Sequence, residues 1–504
     1  MSYHIYPVTE TELKYEGYEI KINGERVCPN TARVSAIPFN RRWPGHQRSE
    51  DQTELVNFLS LETDGNLTFE ITPKEPFESV VIRPLSLNIQ PEITADGKIL
   101  FTLEKAAYFT VEPYGRRNAL HIFADPISEY HIGTEEENVL YFGAGEHDVG
   151  MINLKSNQTV FLDEGAVVYG CIHAIDAENI RILGRGILDN SRNKEQILFE
   201  ANEEQNESAV NNAVRIHTVQ LEYCKNIQIE GITIRDSLVY NVRPIGCENL
   251  DIRNVKIIGC WRYNSDGIDM HNCVNVCIDN CFIRTFDDSI CIKGFDCYYE
   301  GDVEKAVYEA MYRNGKSYDV FRNVSIRNCV IWNDWGRALE IGAETRAEEI
   351  ADVTFENCHV IHVTGPVLDC QNVDYADVHD VVYKDITVEF DDVIPEGLIQ
   401  ERDAQEYKII NENYCPDIIR VEVSYHHEYS AGGTRRGKNR NITFQNIFLY
   451  GRQNPAFFFS GYNEESLSEH VIVKNFFWNG QPLTDSDYTM QKNAFCKNIQ
   501  IITK

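Results

Sequence analysis

The most regular feature of this chain is a short pattern of apolar and polar positions that recurs from residue 179 onward. Each copy begins with a polar residue, alternates apolar with variable positions, meets an Asn, Gly or Asp, and ends in a second apolar run. Alternation with a period of two residues predicts β-strands with one buried side. The nine copies begin at Asn179, Asn226, Asn249, Asn275, Asn323, Asp352, Asp380, Asn441 and His470.

The spacing of the copies predicts a parallel β-helix. The simple intervals are 23 residues (226 to 249), 26 (249 to 275), 29 (323 to 352), 28 (352 to 380) and 29 (441 to 470). Strands separated by Asn or Gly, which tolerate the left-handed backbone of a sharp corner, are typical of one coil of such a helix. Stacked coils place equivalent residues in ladders along the axis. We expect Cys281, Cys329 and Cys358, each following a corner Asn, to form one such ladder.

The first part of the chain lacks this repeat. It contains short alternating segments such as "YEIKING" and "KILFTL", which are separated by Gly, Pro, Asn and Asp. This pattern predicts an antiparallel β-sandwich that packs on the first coils. We therefore predict an all-β protein of 504 residues with a sandwich-like domain at 1–130 and a parallel β-helix domain, the catalytic one, at 131–504.

Four aspartates lie among strand-like apolar residues: Asp266, Asp269, Asp287 and Asp288. Asp266 and Asp288 are 22 residues apart (288 − 266), which is nearly one coil. We expect them at the same corner of neighbouring coils, one above the other. The alternation in "DDSICIKG" directs its isoleucines into the core, so we expect the carboxylates outside the core, on the surface of a groove.

Clustered carboxylates raise one another's pKa values, so one can stay protonated while the others are charged. Hydrolysis of a glycosidic bond requires this combination, because an acid protonates the leaving oxygen while a carboxylate activates water or attacks carbon. On the residues alone, two other interpretations stay open, namely aspartates that cap turns and aspartates that bind Ca²⁺.

The Asn-Ser-Asp segment ending at Asp266, the pair Asp287-Asp288 and Lys293 resemble the motifs of glycoside hydrolase family 28, the polygalacturonases, and the aspartate trio of the family 49 dextranases. The resemblance covers roughly residues 131–390. It implies a right-handed parallel β-helix and an inverting hydrolase. It also implies that Asp287 is the general acid, while Asp266 and Asp288 together hold and deprotonate the attacking water. We expect neither a cofactor nor a metal.

The next coil departs from the polygalacturonase pattern. Where Gly-His-Gly-Leu-Ser-Ile-Gly is expected the chain has "GRALEIG", so Arg337 replaces the His and Glu340 replaces the Ser. Where Arg-Ile-Lys is expected it has "GPVLDCQN" from Gly365. In the polygalacturonases that Arg and Lys hold the carboxylate of the uronic acid. Their absence favours a neutral α-linked glycan or oligosaccharide of the dextran or isomalto-oligosaccharide type.

Polar and aromatic residues near the aspartates are predicted to bind the substrate. Charged side chains there tune the pKa values of the aspartates and bind hydroxyl groups, and aromatic rings stack on sugar faces. For the aromatic residues, ordinary packing is the alternative. The predicted substrate-binding residues are Lys293, Arg337, Glu340, Trp261, Tyr263, Asn264, Trp335, Asp269 and Tyr240.

The net charge of −31 argues against a nucleic-acid partner, because such a surface repels polyanions. The N-terminus has no basic and apolar leader, and no run of about 18 apolar residues occurs, so we expect no membrane association and a cytoplasmic location.

The fifteen cysteines lack C-x-x-C pairs and fall at strand positions, which indicates reduced, buried thiols. The oligomeric state is not predicted.

Three rival functions are left open by the sequence. The first keeps the reaction and changes the sugar, as a galacturonidase or rhamnogalacturonan hydrolase acting on pectin fragments. The second is a β-helical polysaccharide lyase that uses Ca²⁺ and a basic residue. The third is a β-helix that binds glycans without catalysis.

Overall fold

The computed structural model describes residues 2–40, 44, 47–133, 136–193, 217–295, 311–390, 397–400, 407–411, 416–426, 430 and 435–503. Within these ranges the regular secondary structure is almost entirely β-strand, as the alternation of apolar positions predicts. Two short 3₁₀ turns lie at Glu50–Gln52 and Leu85–Leu87. Two small hairpins pair Tyr312–Arg313 with Lys316–Ser317 and Gly397–Gln400 with Tyr407–Asn411. No helix among the described residues is long and apolar enough to cross a membrane.

The N-terminal strands form two sheets that pack face to face around a shared apolar core. Phe69 and Phe101 of one sheet stack at 4.9 Å between ring centroids, and Phe109 of the other sheet meets them edge-on. The six-stranded sheet comprises Tyr3–Ile5, Asn30–Ser35, Thr53–Thr63, Val81–Arg83, Ala107–Arg116 and Leu120–Pro126. The five-stranded sheet comprises Tyr18–Ile22, Glu25–Val27, Leu67–Pro73, Glu92–Ile93 and Ile99–Leu103.

This sandwich differs from the expected antiparallel one in a single pairing. Thr53–Thr63 and Leu120–Pro126 lie side by side in parallel, whereas the other described pairs of the two sheets are antiparallel. The two strands are far apart in sequence, and the chain between them supplies strands to both sheets. A long crossover joins these two strands in parallel, and the alternation of apolar residues within each strand cannot reveal this pairing.

Apart from the two small hairpins, the remaining strands form one continuous sheet of 30 strands wound into a right-handed parallel β-helix, as predicted. The pairings are parallel except for a terminal turn between Phe477 and Pro482. The strands are Val139–Phe142, Gly145–Leu154, Thr159–Leu162, Ala166–Ile175, Glu178–Gly184, Ile187–Asp189, Val219–Glu222, Lys225–Glu230, Thr233–Arg235, Val242–Ile245, Glu248–Arg253, Lys256–Ile258, Ile268–His271, Val274–Asp279, Phe282–Thr285, Ile290–Lys293, Val320–Arg327, Val330–Asn333, Leu339–Ile341, Glu349–Glu356, His359–His362, Leu368–Asn372, Asp377–Glu389, Ile419–Val423, Lys438–Tyr450, Ala456–Ser460, Ser468–Trp478, Gln481–Pro482, Thr489–Lys492 and Cys496–Ile502.

The corners of the coils are built by the polar residues that start each copy of the repeat. All nine starting residues have a left-handed backbone, with φ between 53° and 60°. Their side chains also bond along the axis, since Nδ2 of Asn226 donates to Asn179 at 2.9 Å and Nδ2 of Asn249 donates to Asn226 at 2.8 Å. Asn498, with φ of 52°, begins a further copy that the sequence analysis missed.

The interior of the β-helix is apolar and contains the predicted cysteine ladder. Cys281, Cys329 and Cys358 are fully buried. The residues that follow them, Phe282, Val330 and His359, pair in register on successive coils, which stacks the three cysteines. Stacking equivalent small residues at the same corner of successive coils fills the core without gaps.

The sandwich packs directly on the coils that carry the aspartates. Phe58 and Phe123 of the sandwich share a buried cluster with Phe282 and Trp332 of the β-helix. A buried ion pair joins Lys256 to Asp125 at 3.0 Å. This contact holds the N-terminal strands in place beside the aspartates.

Candidate active site

The aspartates lie on one face of the β-helix, which we call the site face. Its strands near the aspartates are Val219–Glu222, Val242–Ile245, Ile268–His271, Ile290–Lys293, Leu339–Ile341, Leu368–Asn372 and Ile419–Val423. Ile268 pairs with Ile290, and Ile290 pairs with Leu339. Two residues before each of these positions, Asp266 and Asp288 follow one another on successive coils, as the interval of 22 residues predicts.

Asp266, Asp287 and Asp288 form a tight cluster. One carboxyl oxygen from each lies within 4.8 Å of one oxygen from each of the others. Backbone amides orient two of them, since Asn264 donates to Oδ2 of Asp287 at 3.1 Å and Arg337 donates to Oδ1 of Asp288 at 2.9 Å. The Asn264 backbone is left-handed, with φ of 59°, which suits Asn at this turn.

The expectation that these carboxylates lie on the surface of a groove is wrong in one respect. They do lie outside the apolar core, because Ile290 and Ile292 point inward. However, Asp287 is only 8% exposed, Asp288 6% and Asp266 2%. Neighbouring coils and turns cover them, so the cluster is shielded from water and its charges interact strongly.

Lys293 lies among the carboxylates. Its Nζ is 2.9 Å from Asp269, 3.7 Å from Asp266, 3.8 Å from Asp288 and 3.7 Å from Glu344. Burial alone would lower the pKa of Lys293, but Asp269 and Glu344 outweigh burial and raise it. Lys293 therefore carries a fixed positive charge that stabilises anionic members of the cluster.

The three aspartates differ in their tendency to hold a proton. Burial and the neighbouring Asp288 raise the pKa of Asp287 to about 8. Burial, and then Asp269 and Asp287, raise the pKa of Asp266 well above its usual value. Burial would also raise the pKa of Asp288, but Arg337 and Lys293 outweigh burial and hold it below its usual value. At neutral pH the cluster therefore has a protonated Asp287 beside an ionised Asp288.

Arg337 is bound on several sides by polar groups of the site. Its Nε lies 2.9 Å from Asp369 and 3.3 Å from Glu340, and its Nη2 donates to Gln371 at 2.9 Å. Its Nη1 lies 3.6 Å from Asp288. The guanidinium is thus committed to protein carboxylates and an amide, and it links Asp288 to the next two coils.

The aromatic residues predicted to stack on sugars lie in different surroundings. Tyr263 is buried in a cluster with Phe286 and Trp335, and Trp261 donates its Nε1–H to Asp236 at 3.0 Å. Tyr240 is also buried, and its ring centroid lies 5.3 Å from Nζ of Lys293. In these three cases the ring is packed against protein groups, and its contact with a sugar stays a prediction.

Trp335 is the half-buried member of the predicted aromatic set. It stacks on Phe286 at 5.7 Å with an angle of 5° between the ring planes. A ring held in this way keeps exposed area for a ligand. Contact of Trp335 with a sugar stays a prediction.

Two of the predicted polar substrate ligands, Glu340 and Asp269, are fully buried and contact protein groups. They lie behind the three clustered aspartates and act on the charges of that cluster. The sequence analysis missed Asp369, Gln371 and Glu344. Asp369 had a detectable signal, since it follows Glu340 by 29 residues (369 − 340), an interval of the repeat, and the two residues pair in register.

Gly336 was also not predicted from the sequence. It matters because it has no side chain. A Cβ atom at this position would lie 2.6 Å from Oδ1 of Asp287 and 2.5 Å from the backbone nitrogen of Asp288. Both distances are far shorter than a normal contact. Glycine is therefore required here for the backbone to approach the carboxylates.

Residues 148–421 match the sequence profile of the glycosyl hydrolases family 28, and this segment covers 274 of the 504 residues (421 − 148 + 1). The chain belongs to this family. The matched segment includes the site-face strands from Val219–Glu222 to Leu368–Asn372 and the first three residues of Ile419–Val423. This agrees with the resemblance carried by the Asn-Ser-Asp and Asp-Asp motifs.

Named relatives of this family-28 chain match it over part of their length. A "Probable polygalacturonase" of Vitis vinifera is 35% identical over 86 residues, which are 17% of this chain and 18% of the relative. The "Exopolygalacturonase clone GBGE184" of Arabidopsis thaliana is 21% identical over 237 residues, which are 43% of this chain and 53% of the relative. The chain thus spans about half the length of these curated relatives, or less.

A solved structure extends the likeness to the whole fold. Dex49A from Penicillium minioluteum superposes with a TM-score of 0.61 and 15% identity, over 98% of this chain and 96% of that chain. At this level of identity the likeness concerns the fold alone.

Proposed function

We propose that this family-28 protein is an inverting O-glycosyl hydrolase that cleaves α-glycosidic bonds in a neutral glycan or oligosaccharide of the dextran or isomalto-oligosaccharide type. The observation that carries the proposal is the cluster of Asp266, Asp287 and Asp288. It holds a protonated and an ionised carboxyl group within reach of one substrate bond. Such opposite protonation of neighbouring carboxyl groups is what acid and base catalysis of glycoside cleavage needs.

Each carboxyl group has a distinct task. Asp287 donates its proton to the glycosidic oxygen as the bond to the anomeric carbon breaks. Asp288, which is ionised, accepts a proton from water as the water attacks from the opposite face. Asp266 shares that water through a hydrogen bond, and Lys293 balances the negative charge of the group. The proton balance is complete, since one carboxyl loses a proton and another gains one.

The assignment of inversion rests on family membership and on the third carboxyl group. In inverting enzymes the two carboxyl groups are usually separated by about 6.5–9.5 Å. Here the nearest oxygens of Asp266, Asp287 and Asp288 lie within 4.8 Å of one another, which is shorter than that separation. Two carboxyl groups, those of Asp266 and Asp288, can hold an attacking water together, whereas direct attack on carbon would need only one. The stereochemistry is therefore a discriminating test.

The charges around the cluster support a neutral substrate. Additional carboxyl groups come from Asp269, Glu344 and Asp369. Arg337 is already bound to Asp369 and Gln371, so presenting it to a uronic acid carboxylate would break those contacts. A substrate with a negative charge would also meet the repulsion of the carboxyl groups. A sugar bearing only hydroxyl groups avoids both costs.

A second candidate is hydrolysis of galacturonate-containing pectin fragments. It is favoured by the curated relatives, which carry the names polygalacturonase and exopolygalacturonase. This alternative requires Arg337 or Lys293 to release a protein carboxylate and bind that of the sugar.

The two candidates are separated by measuring reducing-sugar release from isomalto-oligosaccharides and from oligogalacturonides under the same conditions. Asp287→Asn serves as the inactive control, so that contaminating hydrolases are recognised. We expect release from the neutral substrates, lost in the variant. Release from oligogalacturonides alone would overturn the neutral assignment, and release from neither would count against hydrolysis of both classes.

A further inference from the structure

Glu340 replaces the serine of the family pattern and lies directly behind the catalytic cluster. It is the central residue of the strand Leu339–Ile341 on the site face, and it pairs with Cys291 on one side and with Asp369 on the other. Its exposed fraction is 0%. It cannot contact a substrate while it is buried in this way, so its effect must pass through its neighbours.

The contacts of Glu340 connect it to Asp288. One oxygen of Asp288, Sγ of Cys291 and one oxygen of Glu340 all lie within 4.8 Å of one another. The Cys291 thiol donates to Oε2 of Glu340 at 3.2 Å, and Nε of Arg337 lies 3.3 Å from Oε1. The carboxyl groups of Glu340 and Asp288 are therefore direct neighbours in the buried part of the site.

A hydrogen bond between two carboxyl groups needs a proton on one of them. Asp288, Glu340 and Asp369 all face the guanidinium of Arg337, and three buried like charges cannot all be held by one cation. Asp288 has further stabilisation of its charge, from the Arg337 amide at 2.9 Å and from Lys293 at 3.8 Å. Among the described residues, Glu340 is stabilised by the shared guanidinium and a weak thiol donor, and Lys293 acts on it less strongly than Arg337 does. The proton therefore belongs on Glu340.

We propose that Glu340 is a positioning residue that stays protonated and donates a hydrogen bond to Asp288, which holds Asp288 ionised and aimed at the attacking water. This inference rests on the proposed role of Asp288 as part of the base. In this role the buried carboxyl group of Glu340 is neutral and acts as a hydrogen-bond donor.

The electrostatics of the site agree with the geometry. Burial and the charge of Asp288 raise the pKa of Glu340 well above its usual value, and the hydrogen bond from Glu340 is among the causes that lower the pKa of Asp288. The titratable and charged groups facing Glu340 are Asp288, Cys291, Lys293, Arg337, Asp369, Cys370 and Tyr383.

The first test is the pH profile of kcat/KM on the substrate that the wild-type protein cleaves. In Glu340→Gln the amide still donates to Asp288, so we expect the acidic limb of the profile to stay in place. In Glu340→Leu the donor is lost and the pKa of Asp288 rises. Since a hydrogen bond to a charged group corresponds to roughly one to two pK units, the acidic limb should move to higher pH by about that much.

The Glu340→Gln variant also distinguishes a protonated Glu340 from an ionised one. If Glu340 were ionised, replacing it would remove a negative charge beside Asp288 and would lower the pKa of Asp288. The acidic limb of Glu340→Gln would then move to lower pH, which would overturn the proposal. A merely structural role would reduce kcat in both variants and leave the limb where it is.

The second test is independent of activity and therefore separates this inference from the proposed function. Infrared difference spectra between the wild-type protein and Glu340→Gln at neutral pH should show loss of a protonated carboxyl carbonyl band. Glu222→Gln is the control, because hydrogen bonds from His173 and Gln220 keep the pKa of Glu222 low and its loss removes only carboxylate bands. Loss of carboxylate bands in Glu340→Gln would refute the proposal, even if no glycan were hydrolysed.

Discussion

Replacing Asp287 by Asn tests the proposed general acid, because the change removes one proton and keeps the shape of the side chain. With a pKa of about 8, roughly ten molecules have Asp287 protonated at pH 7 for each molecule in which it is ionised. General acid catalysis contributes about 10²- to 10⁴-fold to the rate. We therefore expect kcat of Asp287→Asn to fall by at least about a hundredfold, while the substrate still binds.

The same substitution should stabilise the fold at alkaline pH. A carboxyl group whose pKa is raised in the folded state binds a proton that the unfolded chain has released. The contribution of Asp287 to the stability of the wild-type protein therefore decreases between about pH 4 and pH 8, by about 1.4 kcal/mol per pH unit. Asn does not titrate, so the advantage of the variant should grow across this range and reach the order of 5 kcal/mol at pH 8.

The assay combines initial rates at pH 7 with urea unfolding at pH 5 and pH 8. Asp251→Asn is the matched control, because Asp251 is a partly exposed aspartate on another face of the preceding coil and pairs with Arg253. The control should leave both quantities near their wild-type values. If Asp287→Asn kept more than about a tenth of the wild-type kcat, or if its advantage in stability did not widen with pH, the reasoning would be refuted.

Gly336→Ala should lose most activity, because its Cβ would displace Oδ1 of Asp287 or the Asp288 backbone; wild-type kcat in a folded variant would contradict this. Asn249→Ala should lower the free energy of unfolding by about 1–2 kcal/mol, because Ala is strained in the left-handed backbone of this position. Asn249→Gly should lose less stability, and kcat should be unchanged in both variants. Urea unfolding of the three proteins checks this order of stability. Treatment with EDTA should leave activity and melting temperature unchanged, because Lys293 already supplies positive charge to the carboxyl groups; a loss restored by Ca²⁺ would favour a metal-dependent reaction.

The repeat could be predicted from the sequence because its signals are local and periodic. Asn tolerates a left-handed backbone and bonds along the axis to the Asn of the next coil, so Asn226 and Asn249 mark both the corner and the stacking. The same periodicity placed Asp266 and Asp288 on successive coils. The parallel pairing of Thr53–Thr63 with Leu120–Pro126 has no comparable signal, since it joins segments distant in sequence.

The burial of the site could not be predicted from the alternation of apolar and polar residues. This alternation shows only which side chains point into the core of the β-helix and which point away from it. A side chain that points away from the core can still be covered by another segment. Tyr263 illustrates this, since Phe286 and Trp335 contact its ring and Asn40 of the N-terminal part donates to its hydroxyl at 3.1 Å. The pairing of Arg337 with Asp369 likewise depends on the orientation of long side chains.

The anomer formed first in the reaction tests the central claim most directly. If Asp266 and Asp288 hold a water beneath the anomeric carbon while Asp287 protonates the leaving oxygen, hydrolysis proceeds by one displacement and inverts that carbon. Proton NMR of the earliest product, recorded before mutarotation mixes the anomers, should show the β-anomer from an α-linked substrate. Initial appearance of the α-anomer would mean that a carboxylate attacks carbon directly. It would contradict the mechanism assigned to these three aspartates.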